Sequence, residues 1–414
     1  YVNGEGTQLF VTDLNPRPYG FCLQNSFDQP TLEQQLLGGL ARFPSVTVLF
    51  ETELEAFSED ATGVTASIVT QSDASRAISC NYLIGCDGGR STVRQQLEIE
   101  MVGDRLPQHW LVVDTIDHCL GEEPQCRFYC DPARPAMTMI RPRSERRWEW
   151  MLLEGEDTDA MLADASIRAL LAPHTRADDV EIYRKAVYGF SAVVAEQFSR
   201  GRVFLAGDAA HMTPPFAGQG LNAGVRDVRN LSWKLAAVLR DGFPESLLDT
   251  YQLERHDAAR DIVNLAVALG DQIQPIDAAV AAERDAFFAE LNKEPGAGAK
   301  FGHDLVAPLH DVRMTTGWFA QDSLAGRFLP QPEIESNGVT RLLDESFSAG
   351  FVAIMPPGKN LPDAITSHAL WQTLAPQLLV APKELDPFLE GTEAAVVLRP
   401  DRFVLAQLPL DETG

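Results

Sequence analysis

Two aspartates, each closing a short apolar run and each followed by glycines, are the residues of this 414-residue chain best placed to do chemistry. Residues 203–206 (Val-Phe-Leu-Ala) form an apolar run of the kind a buried strand shows, and it ends in Gly207-Asp208. A carboxylate is thereby presented where a strand gives out, a common place for ligands in open α/β sheets. Downstream, Gly218 and Gly220 let the backbone approach a ligand closely. A helical pattern begins at Leu221, and a helix start offers unpaired N–H groups and positive potential. Carboxylate, glycine loop and helix start together make a seat for a polar, partly anionic cofactor. An N-capping Asp in an ordinary strand–loop–helix connection would leave the same trace. His211 has the side-chain type of a general base, although a His after two alanines at a strand end also suits a structural hydrogen bond.

The second aspartate, Asp87, ends the run Tyr82-Leu83-Ile84-Gly85-Cys86 and precedes Gly88-Gly89 and a helix start. It lies more than about a hundred residues before Asp208. The two ends can meet at one ligand only if the domain is discontinuous and the residues between them fold as an inserted unit. That stretch reads as sheet, with strand-like segments at 110–115, 126–130, 136–140, 148–153 and 181–190 and a helix near 157–171.

The elements around this frame follow from period and punctuation. Residues 1–25 read as short strands and turns, with strands at 9–11 and 21–23. Asp28-Gln29-Pro30-Thr31 starts a helix whose apolar stripe is Leu32, Leu36, Leu37 and Leu40. A strand is expected at 46–50 and a small antiparallel meander at 53–57, 63–69 and 77–79. After Asn222 the helix runs to about Leu239; further helices cover 247–269 and 278–291, before a flexible linker at 295–299. From about Arg327 the chain turns strand-rich again, at 351–354, 377–380, 394–398 and 403–406, the last two flanking a turn at Arg399-Pro400-Asp401-Arg402. The expected organisation is substrate-domain strands at 1–25, cofactor-domain parts at 26–100 and 193–327, a substrate domain at 101–192 and a small α/β domain at 328–414.

Composition bounds the function. With 45% hydrophobic and 22% charged residues the chain reads as a soluble globular protein, and no window of about 18 apolar residues offers a membrane span. A net charge of −25 argues against a nucleic-acid partner, because phosphate binding needs clustered positive charge. The basic residues do crowd once, at Arg141, Arg143, Arg146 and Arg147. Cys22, Cys80, Cys86, Cys119, Cys126 and Cys130 all fall in the first third. A zinc site from His118, Cys119, Cys126 and Cys130 matches no common ligand spacing, so reduced thiols in a cytoplasmic setting, with no metal, are expected. The non-Met start, Tyr1-Val2-Asn3, suggests that the natural chain begins further upstream.

Cys86-Asp87-Gly88-Gly89-Arg90-Ser91-Thr92-Val93-Arg94 resembles the Asp-Gly motif of the class A flavoprotein aromatic hydroxylases. Residues 201–211 with Pro214-Pro215-Phe216-Ala217-Gly218-Gln219-Gly220-Leu221-Asn222 resemble their Gly-Asp motif. Arg226-Asp227-Val228-Arg229-Asn230-Leu231-Ser232-Trp233-Lys234-Leu235, the stretch 147–156 and Trp110-Leu111-Val112-Val113-Asp114 are similar to the branch that hydroxylates 3-(3-hydroxyphenyl)propionate. The resemblance covers essentially the whole chain. It implies an α/β fold: a discontinuous, glutathione-reductase-like FAD-binding domain, an inserted β-sheet substrate domain and a C-terminal thioredoxin-like domain without redox cysteines. One departure is that no strand–GxGxxG–helix unit for the FAD pyrophosphate occurs in these residues; a molecule truly lacking it should hold FAD poorly.

The resemblance further implies an NADH- or NADPH-consuming monooxygenase that uses O2 to hydroxylate a phenolic acid ortho to its hydroxyl by way of a flavin C4a-hydroperoxide. Under it, Asp208 binds the ribityl chain, and Gly218, Gly220, Leu221 and Asn222 meet the pyrimidine edge. Pro215 faces C4a, Gln29 touches the flavin and ribityl region, Leu54 meets the adenine, and Asp87 braces its motif. Pro215 and His211 are the catalytic candidates. Trp148, Trp150, Tyr188, Phe190 and Phe216 are candidates to pack the substrate ring, with Arg147 or Arg184 (or Arg141 or Arg143) for its carboxylate. The same chemistry on a polycyclic, polyketide-like phenol and a flavin-poor scaffold are the alternatives. A homodimer is a family expectation alone.

Overall fold

Sheet alternation and turn chemistry generate most of the observed elements. The computed structural model describes residues 1–71, 75–117, 126–176, 179–309, 312–336 and 338–410. They divide into two units, one of Tyr1–Thr12, Asn25–Leu221 and Arg260–Leu305, the other of Asp13–Gln24, Asn222–Ala259 and Val306–Gly414.

In the first unit, β1 (Val2–Asn3) is followed by α1 (Gln29–Gly39), which Asp28 caps by accepting the Thr31 N–H at 3.0 Å. The expected strands at 9–11, 21–23 and 46–50 do not form. Leu9 and Phe10 are instead buried anchors, Phe10 stacking on Tyr1 at 4.1 Å. The α1 stripe is also not a core face, since Leu36 is 63% exposed and no residue of that helix is buried. The meander does form: β2 (Thr52–Glu59), β3 (Val64–Thr70) and β4 (Ser75–Cys80) pair antiparallel in that order.

Next come β5 (Leu83–Gly85), α2 (Thr92–Gln96) and the long β6 (Met101–Asp117). Strands β7 (Cys126–Cys130), β8 (Ala136–Arg141) and β9 (Glu145–Met151) lead to α3 (Thr158–Met161), α4 (Asp164–Leu171) and β10 (Val180–Ala195). The helix expected over 157–171 is thus two short helices. After β11 (Ser199–Arg200) and β12 (Val203–Leu205) comes β13 (His211–Met212), which joins β1 and the inserted strands in a seven-stranded sheet ordered β1-β7-β8-β9-β6-β10-β13. One face packs Leu111, Val113, Trp148, Trp150 and Val180 against Ile167 and Leu171 of α4. A three-stranded sheet, β11-β12-β5, stands apart from it.

Four helices follow: α5 (Gly220–Arg240), α6 (Ser246–Ile273), α7 (Ala278–Leu291) and α8 (Ala297–Val306). Helix α8 occupies most of the stretch read as a linker; its Gly and Ala residues are compatible with helix once neighbours cover them. His118 and Cys119 lie outside the described residues; Cys126 and Cys130 are thiols on β7. Among the described residues no helix is long and apolar enough to cross a membrane.

The second unit carries the hairpin β14 (Glu333–Ser336) and β15 (Val339–Leu342) and a four-stranded sheet ordered β17-β16-β18-β19, from β16 (Val352–Met355), β17 (Gln377–Val380), β18 (Ala395–Leu398) and β19 (Val404–Leu408). Its short helices are α9 (Asp363–Thr366), α10 (Ala369–Leu374) and α11 (Asp386–Leu389). This unit extends beyond the expected 328–414, and a buried charge network explains why residues 222–259 belong to it. Glu254 of α6 accepts from Lys234 Nζ (2.7 Å), Asn230 Nδ2 (2.7 Å) and both terminal nitrogens of Arg399 (2.8 and 2.7 Å). Arg399 also pairs with Asp401, which accepts the Trp233 indole N–H at 3.0 Å. Burial would raise the Glu254 carboxyl, but the Arg399 and Lys234 charges with the Arg399 and Asn230 hydrogen bonds outweigh it and hold the group at about 2.

Breaking this network by Glu254→Leu leaves Lys234 buried without its hydrogen-bonded acid and Arg399 with Asp401 alone. A loss of about 3–5 kcal/mol is expected, read from denaturant midpoints. Because the folded carboxyl titrates at about 2 and an unfolded Glu at about 4.3, the ionised Glu254 stabilises the fold above about pH 4.3 and ceases to do so as pH falls towards 2. The stability gap between wild type and Glu254→Gln should therefore shrink over that window.

Candidate flavin and substrate site

The two aspartate-bearing ends meet because β5 and β12 are parallel neighbours, with Leu83 opposite Val203, Ile84 opposite Phe204 and Gly85 opposite Leu205. The Ala206 N–H continues the ladder to the Gly85 carbonyl at 3.0 Å. Both chains then leave the sheet at the same end. Asp87 accepts from the Ser91 hydroxyl (2.5 Å) and the Val93 N–H (3.0 Å), bracing the start of α2. Arg94, 7% exposed, donates to the Gly89 carbonyl at 2.9 Å and the Ala209 carbonyl at 2.8 Å, joining one motif to the other. Sequence reasoning assigned Arg94 no role; a basic residue inside an apolar turn of helix was its only signal.

Asp208, Pro215, Gly218 and Leu221 are exposed, while Ala209, Ala210, Phe216 and Ala217 between them are buried. Gly207 and Gly218 both have φ 61°, a left-handed conformation that a side chain would strain, so each turn depends on its glycine. Gly218 leads into α5, whose first residues are Gly220, Leu221 and Asn222; the first N–H groups of a helix have no acceptor within the helix itself. A Cβ at Gly220 would meet nothing within 4 Å, and buried Thr213 Oγ1 and Gln219 Oε1 have no hydrogen-bond partner. An exposed carboxylate, an open helix start and unsatisfied polar atoms along one loop fit the ribityl and pyrimidine portions of a flavin. Gln29 is exposed and bonded to Glu33 at 2.8 Å, and Leu54 is half-buried at a bulge of β2.

His211 departs from its candidate role. It pairs with Val194 through β13, is 1% exposed and packs its ring 5.9 Å from Phe198. That is a core side chain, not a base presented to a ligand. Trp148 and Trp150 depart too. Alternation along β9 sends them to the α4 face, stacked on one another at 5.9 Å, so they cannot reach a ring held on the opposite face.

The opposite face carries Trp110, Val112 and Asp114 of β6, with Arg147, Glu149 and Met151 of β9 beside them. Trp110 meets Phe216 at 5.6 Å and Phe190 at 6.4 Å, and Phe190 meets Phe216 at 5.9 Å. Thus the loop residue next to Pro215 is covered by aromatic rings from the sheet. Along the same face, Asp114 is 1% exposed and gathers Arg147 (2.7 Å), Arg184 (2.9 Å) and Arg141 (3.3 Å). Burial opposes its charge, but the Arg147 hydrogen bond and charge, with Arg184 and Arg141, hold its carboxyl below the usual range. Arg141 also pairs with Asp28 and Glu145, and Arg184 donates to the Tyr188 hydroxyl at 2.6 Å. The arginine cluster is therefore not an unpaired basic edge: Arg146 is buried over Trp148, Arg143 contacts Thr31, and the rest are organised by acids. Side-chain exposures of 28% for Arg147 and 43% for Arg184 leave these two accessible to an anionic ligand. Trp110 and Asp114 were missed as site residues, although their alternation with core residues Leu111 and Val113 was the signal available.

A family model described as an FAD binding domain matches residues 8–266. The chain is 33% identical over 418 residues to a 3-(3-hydroxy-phenyl)propionate/3-hydroxycinnamic acid hydroxylase of Escherichia coli (strain SMS-3-5 / SECEC), covering 94% of this chain and 75% of that protein. A protein of the same name from Burkholderia cenocepacia (strain HI2424) is 33% identical over 443 residues, with 98% and 80% covered. Among solved structures, the fold matches the flavin-dependent monooxygenase PieE in complex with FAD and substrate, at TM-score 0.76 and 23% identity over 93% of this chain and 77% of that one. It also matches the anhydrotetracycline hydroxylase OxyS from Streptomyces rimosus, at TM-score 0.71 and 25% identity over 92% and 76%. With paired aspartate motifs on one sheet end and these relatives along nearly its whole length, the chain belongs to the FAD-binding-domain family of flavoprotein aromatic hydroxylases.

Proposed function

We propose that this hydroxylase acts on a single-ring phenolic acid of the 3-(3-hydroxyphenyl)propionate type, consuming NADH or NADPH and O2. One ring C–H becomes C–OH, the second oxygen atom leaves as water, and the nicotinamide supplies the hydride. The observation that carries this reading is the continuity of one sheet face. Its aromatic end, Trp110 with Phe190 against Phe216, suits a planar ring, and its charged end, Arg147 and Arg184 around Asp114, suits a carboxylate. The identity to relatives named for a phenylpropionate substrate supports the same choice over a polycyclic phenol.

Bound FAD would supply the redox and oxygen-activating chemistry. This chain's residues do the rest. Asp208 accepts hydrogen bonds from sugar-type hydroxyls of the ribityl chain, and the start of α5 from Gly220 to Asn222 offers N–H groups and positive potential to the pyrimidine edge. Pro215, exposed in the same loop, would lie against the ring system. The aromatic rings cover Phe216 of the loop, and Arg147 and Arg184 orient the acid. The inserted sheet at 101–192 serves as the substrate domain, and the 328–414 segment as a thioredoxin-like accessory without cysteines.

A phenol panel followed by NADH oxidation and product mass tests the reading. Stimulation by 3-(3-hydroxyphenyl)propionate with a one-oxygen mass gain is expected; stimulation by tricyclic phenols alone would overturn it. Asp208→Ala removes an ionised acceptor worth about 1.5–3 kcal/mol, so FAD should bind about 10- to 100-fold more weakly in fluorescence titration. Arg184→Gln should raise KM several-fold for the acid and leave it unchanged for a neutral 3-alkylphenol, a split read by steady-state kinetics.

A further inference from the structure

Glu149 is a buried carboxyl on the substrate-facing side of the sheet to which the reading above gives no task. Its strand places it opposite Val112 of β6 and Met137 of β8, two apolar neighbours, one position along from Trp110 opposite Met151. It is 8% exposed. A carboxyl largely removed from water between apolar strand neighbours is costly to ionise and favours a proton or a donor from a ligand. The groups around it are Arg147 on its own strand, Asp114 on β6, Arg184 on β10 and Cys126 on β7. Burial pushes its carboxyl up to about 7, with Arg147 and Arg184 opposing and Asp114 assisting.

Two buried polar atoms beside Phe216 lack hydrogen-bond partners among the described residues. Trp110 is fully buried and its indole N–H has no acceptor. Gln274 Oε1 is likewise unsatisfied, and the Gln274 side chain stands with the Phe216 ring beside Gly270. A carboxyl on the same sheet face as the Trp110 indole, with Trp110 and Gln274 each beside Phe216, offers an acceptor and a donor to a ring bearing a hydroxyl. The arginines near Asp114 would take the other end.

We propose that Glu149 is the catalytic residue that receives the substrate's phenolic hydroxyl, accepting its hydrogen bond and then its proton as the ring is oxidised. In that step the phenol O–H bond breaks and a carboxyl O–H bond forms on Glu149. The electron pair stays on the phenolic oxygen and delocalises to the ortho and para carbons, making them better nucleophiles. On rearomatisation the ring C–H proton goes to the oxygen atom that leaves as water, and Glu149 returns its proton to the phenolic oxygen, regenerating the carboxylate. The inference rests on the phenolic-substrate reading, and it adds the group that activates the ring.

The carboxylate is the working form, so kcat/KM in the wild type should rise with pH through about 7 and level off above it. Glu149→Gln is nearly isosteric; Glu149→Asp keeps the acid. FAD content and thermal midpoint of both variants, measured on the purified holoenzyme, report folding. The Gln variant should lose about a hundredfold or more in kcat/KM at alkaline pH and lose the rising limb. The Asp variant should keep that limb at reduced rate. A second readout needs no turnover: the bound nitrophenol analogue 3-(3-hydroxy-4-nitrophenyl)propionate, titrated by its phenolate absorbance. A neighbouring carboxylate disfavours the phenolate, so its midpoint should drop by about one pH unit or more in Glu149→Gln. Analogue binding and turnover with unchanged midpoint and unchanged pH profile in the Gln variant would overturn the role of Glu149 alone. Failure of any phenol to bind or to stimulate the wild type would overturn the phenolic reading and this inference with it.

Discussion

Parallel pairing between Leu83–Gly85 and Val203–Leu205 is the constraint on which the site rests, because it fixes where two chain segments far apart in sequence leave the sheet. Three rungs of ladder are little by themselves. They hold because Val203, Phe204 and Leu205 are buried, and because Arg94 spends its guanidinium on the Gly89 and Ala209 carbonyls just beyond the strands. A buried arginine bonded to two backbone carbonyls closes both turns at once. Asp87 is thereby committed to its own helix start, and Asp208 is left exposed beside an open loop. Two similar motifs are thus placed differently, one carboxylate bonded within its own turn and the other exposed.

The sheet between the motifs works through its period of two. One face of β9 gives Trp148 and Trp150 to the core over α4; the other gives Arg147 and Glu149 to the side where Trp110 covers Phe216. The charged half of that side is organised by a single buried acid. Asp114 draws in three arginines and so keeps them in fixed positions, which isolated surface cations would not hold. The same strand thus carries core aromatics, a carboxylate-binding arginine and a buried acid within a few residues.

In the second unit, the buried network of Glu254, Lys234, Arg399 and Asp401 ties helical segments to the turn between β18 and β19. A hairpin turn rich in charge would ordinarily face water. Here Arg399 is fully buried and over the Trp233 ring at 5.1 Å, so the turn is an anchor. Its charges are tolerable only because each is paired and hydrogen-bonded.

The sequence by itself determined the elements whose cause is local. Alternation marked the meander strands at 53–57, 63–69 and 77–79 and the inserted strands, Asp28 and Pro30 marked the start of α1, and Gly207-Asp208 marked the end of a strand. The motifs carrying the family resemblance are local in the same sense, so the flavin chemistry was legible. Tertiary structure alone decided what depends on neighbours remote in the chain. The run at 46–50 has strand composition yet pairs with nothing among the described residues, and the Gly-rich 295–299 stretch enters a helix. His211 looked chemical and is core, whereas Trp110, Asp114 and Glu149 looked like ordinary strand residues and share the face over Phe216. Composition fixes which strands form. Which face of a strand meets the site, and which charges pair, depends on register and on partners that only the folded chain brings within a few ångströms.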